Sequence, residues 1–255
     1  MSAMVDHVVA QLLGLQVRLL ACQARLVAHT DSEALHDLRT SNRRLRSLLR
    51  PLRGLPGIEQ LDAAAKAVGD LTTPLRDKEV LAAHLVVNGQ PEAAARRVAE
   101  LEGVFGAVAA SAELARLLAV LDAMPQFLRA SQRQGLLHGL RALVDKRLTK
   151  QWSKLNKALR DPAHDRHRLR LLIKRVRYAE ESYPQLDRAP AQTVKCLKRA
   201  QSLLGDWHDH VQWLLQAGQQ ADLQPCVAVW NLALAQAEER SDRVLGQLLA
   251  LCTKQ

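Results

Sequence analysis

The chain has 255 residues, 48% of them hydrophobic but only 3% aromatic, with 12 glycines and 9 prolines. Leu and Ala dominate and β-branched residues rarely cluster, which favours long helices and excludes a β-sandwich, a barrel or a disordered chain. Lys and Arg number 36 against 26 Asp and Glu, a net charge of +10, and an excess of that size on a folded protein points to an anionic partner.

Taken in chain order, the turn signals predict an all-α protein of about ten helices. The N-terminal stretch has Asp6 ahead of its first arginine, Arg18, so the basic head of a signal peptide is missing. Thr30-Asp31-Ser32 ends the first helix and caps the second. Pro51 and Gly54-Leu55-Pro56-Gly57 stop the second. Thr72-Thr73-Pro74 and Asn88-Gly89-Gln90-Pro91 mark two further breaks, and Met124-Pro125, Asp161-Pro162, Tyr183-Pro184, Gly205-Asp206 and Gln224-Pro225 mark the later ones. No uncharged apolar run reaches the roughly 18 residues of a membrane span, so no membrane partner is expected. Cys22, Cys196, Cys226 and Cys252 form no C-x-x-C pair, which fits reduced, buried thiols in a cytoplasm and no structural zinc.

The chain repeats itself. Residues His36 to Arg46 and His167 to Arg177 share the pattern H-x-L-R-x-x-x-[RK]-R-[LV]-R. A weaker echo sets Leu75-Arg76-Asp77 against Trp207-His208-Asp209. The repeat divides the chain into two related halves, 1–123 and 124–255, of about five helices each.

On a helix at about 100° per residue, His36, Arg39, Arg43, Arg46 and Arg50 fall on one narrow face, with Leu38, Leu45, Leu48, Leu49 and Leu52 opposite. The second copy does the same with His167, Arg170, Lys174 and Arg177 against Leu169, Leu172, Ile173 and Val176. Arg147, Lys150, Lys154 and Lys157 make a third stripe, Arg18 and Arg25 a fourth, and Lys195, Lys198 and Arg199 a further cluster. Like charges three and four apart destabilise a helix by roughly 0.2–0.5 kcal/mol per pair. A single such stripe reads as a solvated face. Several stripes, two of them at matching positions of a repeat, read as converging cations that an anion neutralises.

Arg grips phosphate oxygens through a fork of N–H donors and Lys acts as a point charge. The chain has no phosphate-cradling glycine loop. It has only two Phe, two Tyr and four Trp, few platforms for stacking single-stranded bases. A linear polyanion without bases fits best, and nucleic acid is disfavoured.

These residues resemble the CHAD family, the conserved histidine α-helical domain. The doubled basic motif carries the resemblance, together with Leu203-Leu204-Gly205-Asp206-Trp207-His208-Asp209 and Arg177-Tyr178-Ala179-Glu180. It spans nearly the whole chain. The resemblance implies two helical bundles related by pseudo-two-fold symmetry around a basic central groove or pore that binds inorganic polyphosphate, in a cytoplasmic setting tied to storage granules. His36, Arg39, Arg43, Arg46, His167, Arg170, Lys174 and Arg177 match the family's basic motif, and Arg76 and His208 match its second motif less strictly. Arg18, Arg25, Lys150, Lys154, Lys157, Lys195 and Lys198 extend the site by helical spacing alone. Asn42 departs from the usual hydrophobic character before the Arg pair, and Thr73-Pro74 stands where the second half has Gly205-Asp206.

No enzyme is expected. Glu100-Leu101-Glu102 lacks the lysine of a triphosphate-tunnel E-x-E-x-K, and on a helix its two carboxylates would point about 200° apart. His36-Asp37, His164-Asp165 and His208-Asp209 suggest an alternative, a His-Asp metal-dependent phosphohydrolase, but Arg76 stands in the slot of His208 and cannot ligate a metal. Asp77 and Asp209 read as groups that orient basic neighbours or cap a helix. His36 and His167, among arginines, are expected to act as neutral donors to phosphate oxygens. Trp152, Trp207, Trp213 and Trp230 read as core. A nucleic-acid-binding helical protein is the other alternative.

Overall fold

Leucines and alanines at intervals of three and four need a second helix to bury their stripe. The computed structural model, which describes residues 3–28, 31, 33–163, 165–186 and 189–253, meets that need with helices alone. Ten α-helices and no strand are present among the described residues. The chain forms two compact units, Met1–Val144 and Asp145–Gln255.

The first unit holds α1 (Ala3–Ala28), α2 (Ala34–Leu49), α3 (Ile58–Val87), α4 (Pro91–Ala99), α5 (Val104–Ala109), α6 (Ala112–Arg133) and the start of α7 (Leu140–Leu159). α1 packs on α2, α5 and α6, while α3 packs on α2, α4 and α6. Leu12, Leu19, Leu38, Leu45, Leu61, Val68, Leu117 and Leu121 are fully buried there. Each such burial stabilises by about 1.5–3 kcal/mol before conformational entropy is counted.

The second unit holds the rest of α7, then α8 (Arg166–Ser182), α9 (Ala191–Ala217) and α10 (Val227–Cys252), with α9 packed on both α8 and α10. Its core gathers Leu155, Leu169, Ile173, Val176, Leu197, Leu204 and Leu248. Asp165 caps α8, accepting from the His167 amide at 2.8 Å. The division between units falls inside α7, whereas the repeat alone suggests 123/124. The repeated motifs themselves lie on α2–α3 in one unit and α8–α9 in the other.

Several expected breaks are absent. Pro74 lies inside α3 and Pro125 inside α6. A proline in a helix interior costs about 3 kcal/mol, and here the helix on both sides is held by burial: Val68, Thr72 and Leu81 around Pro74, Leu121 and Leu128 around Pro125. Gly205-Asp206 also lies within α9. Arg76-Asp77 and His208-Asp209 therefore sit in mid-helix, and neither aspartate caps a helix start. Glu100-Leu101-Glu102 lies in the turn after α4 rather than on a helix, and Glu100 pairs with Lys78.

Two of the four tryptophans, Trp213 and Trp230, are buried. Trp152 and Trp207 are half-buried, donating to Glu180 at 2.8 Å and Glu238 at 3.2 Å. All four cysteines are free, and Cys196 is only half-buried. Ala3–Ala28 and the stretch Pro91–Arg133 are long and apolar enough to pass for membrane spans by length and composition. The first carries charges at Asp6, Arg18 and Arg25 and commits nine side chains to the core, and the second is cut by turns into α4, α5 and α6. Thr30, Ser32 and His164 lie outside the described residues.

Candidate functional site

In the first unit the α2 stripe lies along α3. Leu38, Leu45, Leu48 and Leu49 bury the inner face, which leaves His36, Arg39, Arg43 and Arg46 half-buried along the edge. Arg39 Nη1 donates to the hydroxyls of Thr72 and Thr73, both at 3.0 Å. Those hydroxyls donate onward to the carbonyls of Val68 and Gly69, each at 2.7 Å. Burial lowers the pKa of the Arg39 guanidinium, Asp77 and Glu79 oppose the shift, and Arg43 and Arg76 add to it; it stays protonated. Arg76 is held by Glu79 at 3.1 Å. Arg43 Nη2 donates to Thr40 at 3.1 Å, and the His36 ring lies 3.5 Å from the same hydroxyl. Asn42, which takes the repeat position of the buried Ile173, donates to the Ala65 carbonyl at 2.8 Å and so ties α2 to α3 with a hydrogen bond where the second unit uses apolar contact.

In the second unit α8 and α9 make the matching arrangement. The rings of His167 and His208 stand 5.5 Å apart. His208 is pushed down to about 4 from an ordinary value near 6.5, by burial first and then by Arg170, His167 and Lys174. A neutral imidazole at this spot is what a half-buried ring beside two cations should be. The pairing recurs in each unit: Arg39 feels Arg43 on its own helix and Arg76 on the next, and His208 feels Arg170 and Lys174 from the neighbouring helix.

The C-terminal members of both stripes are drawn away by acceptors. Arg46 lies 3.9 Å from Asp62, itself bridged by Arg53 at 2.7 Å. Arg177 donates to Gln201 at 2.5 Å and to Glu181 at 2.7 Å, and its guanidinium lies 4.2 Å from the centre of the Tyr178 ring.

Of the residues added by spacing alone, Arg25 is held by carboxylates and the others are exposed on their helices. Arg25 is bound by Asp31 at 2.6 Å and Asp37 at 2.7 Å, which hold its pKa above the usual value. Arg18 is exposed on α1. Lys150, Lys154 and Lys157 are exposed on α7, with Lys157 at a shallow cavity beside Trp152 and Asn156. Lys195 and Lys198 are exposed on α9; Lys195 and Arg199 line a cavity of about 530 Å³ with Cys196 and Gln247. Thirteen residues separate Lys195 from His208, about 220° around the helix, so the two face different neighbours.

Sequence reasoning missed Thr72, Thr73 and Gln201. Their signal was present, since Thr72 precedes Arg76 by four residues and Gln201 precedes His208 by seven. Among the described residues no group of three or more His, Cys, Asp or Glu is gathered to hold a metal.

The model of the CHAD domain family matches residues 10–216. The crystal structure of the CHAD domain from the plant Ricinus communis is similar, with a TM-score of 0.71 and 22% sequence identity over 99% of this chain and 92% of that one. No curated protein matches the chain.

Proposed function

The chain belongs to the CHAD family, and from that premise we propose that it binds inorganic polyphosphate through the α2–α3 and α8–α9 cation clusters, without catalysis. The observation that supports this reading is the repeated gathering of cations between neighbouring helices, Arg43 and Arg76 about Arg39 in one unit and Arg170 and Lys174 about His208 in the other. Each cluster concentrates donors on a half-buried face where fewer waters compete for a phosphate oxygen. Guanidiniums engage phosphate oxygens in forked pairs, and displaced counterions supply the salt-dependent part of the affinity.

In this reading His36, Arg39, Arg43 and Arg76 form the centre of one cluster and His167, Arg170, Lys174 and His208 the centre of the other, with Arg46 and Arg177 exchanging a carboxylate for phosphate at their respective edges. A cytoplasmic setting on polyphosphate or polyhydroxyalkanoate granules belongs to the same proposal.

The test is titration calorimetry with long-chain polyphosphate, comparing the chain with a variant carrying Arg39→Glu, Arg43→Glu, Arg170→Glu and Lys174→Glu. Binding should be lost while far-ultraviolet circular dichroism still reports full helix. Affinity should fall steeply between 50 and 200 mM salt, as for polyelectrolytes generally. Unchanged binding by the variant overturns the assignment. Preference for DNA or RNA in direct competition makes it a nucleic-acid binder, and metal-dependent, chelator-sensitive phosphate release makes it a hydrolase.

A further inference from the structure

α1 carries a face that the fold leaves unused. Ala10, Leu13, Val17, Leu20, Ala24 and Val27 alternate steps of three and four without interruption. All six are exposed, Leu13 and Leu20 at 45%, Val17 at 67% and Val27 at 61%. With Leu13 at zero they fall between about +60° and −40°, drifting by about 20° per heptad, the signature of a supercoiled helix pair. No charge lies on this stripe. Arg18 and Arg25 project about 140° and 120° from it. The flanking Gly14 and Ala21 are small and exposed, and a side chain on Gly14 would meet nothing within 4 Å. The core-facing residues of α1 form a separate set including Leu12, Leu15, Leu19, Cys22 and Leu26. A lone surface helix needs only the core-facing stripe; a second seam at heptad spacing is the pattern by which one helix recognises another.

We propose that this seam joins two copies of the chain, with the α1 helices antiparallel about a two-fold axis. The order of side chains argues for that partner. In antiparallel register Ala10 faces the partner's Val27, Leu13 faces the partner's Ala24, and Val17 faces the partner's Leu20. Small is set against large in the outer layers, and two middle-sized chains meet at the centre. A parallel pair would stack Ala10 on Ala10 and Leu13 on Leu13, alternating voids with crowding. A surface that complements its own copy in this way is what a two-fold dimer requires. The strip buries on the order of 1,000 Å² in total, at the lower limit for a specific interface, so the dimer is weak and concentration-dependent.

Sedimentation equilibrium of the full chain from 1 to 300 μM tests this. Mass should rise towards twice the monomer. Val17→Lys and Leu20→Glu, both at exposed positions, should each weaken self-association by about a hundredfold, because each sets charges into an apolar seam. An equimolar mixture of the two should dimerise again, since position 17 faces position 20 of the partner. A double variant, Ala10→Cys with Val27→Cys, should cross-link between chains under mild oxidation. The proposal is overturned by a monomer at every concentration, or by a dimer indifferent to Val17→Lys and Leu20→Glu. It also fails if the mixture does not rescue, or if a monomer binds neutral phosphatidylcholine vesicles through this face, which would make the seam a lipid contact.

Discussion

Replacing His208 by Gln isolates the electrostatic character of the α8–α9 cluster. His208 is held near 4 in the folded chain against about 6.5 when free. Above pH 6.5 the ring is neutral in both states and contributes nothing pH-dependent. Between pH 6.5 and 4 the unfolded chain binds the proton and the folded chain resists it, so stability falls as pH falls; below 4 the loss is complete. Between pH 7 and pH 5 the full linkage would amount to about 2 kcal/mol. The ring is half-open to solvent, which screens Arg170 and Lys174, so the expected loss is about 1 kcal/mol. Urea unfolding of both proteins at pH 7 and pH 5 provides the assay. The wild-type chain should lose about 1 kcal/mol more than His208→Gln over this interval, the other histidines cancelling in the comparison. Equal losses in the two proteins would refute the reasoning, since His208 would then titrate as a free imidazole. If the cluster takes a polyanion, the same ring should gain a proton on binding, and calorimetric enthalpies should differ between buffers of different ionisation heat.

Asp165→Ala should cost about 1 kcal/mol of stability through loss of the α8 cap, read as a lower urea midpoint with unchanged slope. Ile173→Ala should cost about 2–5 kcal/mol by opening a cavity against α9 and α10, and a loss below 1 kcal/mol would mean that the repeat motif does not organise that core. Thr72→Val should cost about 1 kcal/mol, since Arg39 keeps Thr73 but loses one buried acceptor. Arg25→Ala should leave polyphosphate affinity within twofold in calorimetry, because Asp31 and Asp37 already hold that guanidinium.

The repeated motif was legible because helical periodicity is a property of one element: the same spacing that buries Leu38 and Leu45 sets Arg39 and Arg43 on the other side. Spacing does not say which neighbour lies across from a face. Lys195 and His208 share α9, yet one looks into the α9–α10 cavity and the other at His167. Arg25 looked like a stripe member, but Asp31 and Asp37, six and twelve residues further along the chain, hold its guanidinium, and spacing on one helix does not show carboxylates that lie beyond its end. Pro74 and Pro125 misled for a related reason. Their penalty is local and visible in the sequence, whereas the burial that outweighs it belongs to tertiary packing.

That separation also explains how the fold accommodates its cation clusters. Carboxylates take up Arg25, Arg76, Arg166 and Arg177, and His208 meets the field of its neighbours by staying neutral. Like charges one turn apart on a helix, the spacing of Arg170 and Lys174, cost about 0.2–0.5 kcal/mol per pair. Ile173 alone, fully buried on the opposite side of α8, contributes about 1.5–3 kcal/mol. Packing on the inner face of α8 therefore outweighs the like-charge repulsion on its outer face. Reversing Arg170 and Lys174 should leave the melting temperature within a few degrees while removing the proposed phosphate contacts. A variant that unfolded instead would mean that these cations are structural and that the proposed site has been drawn on the wrong face.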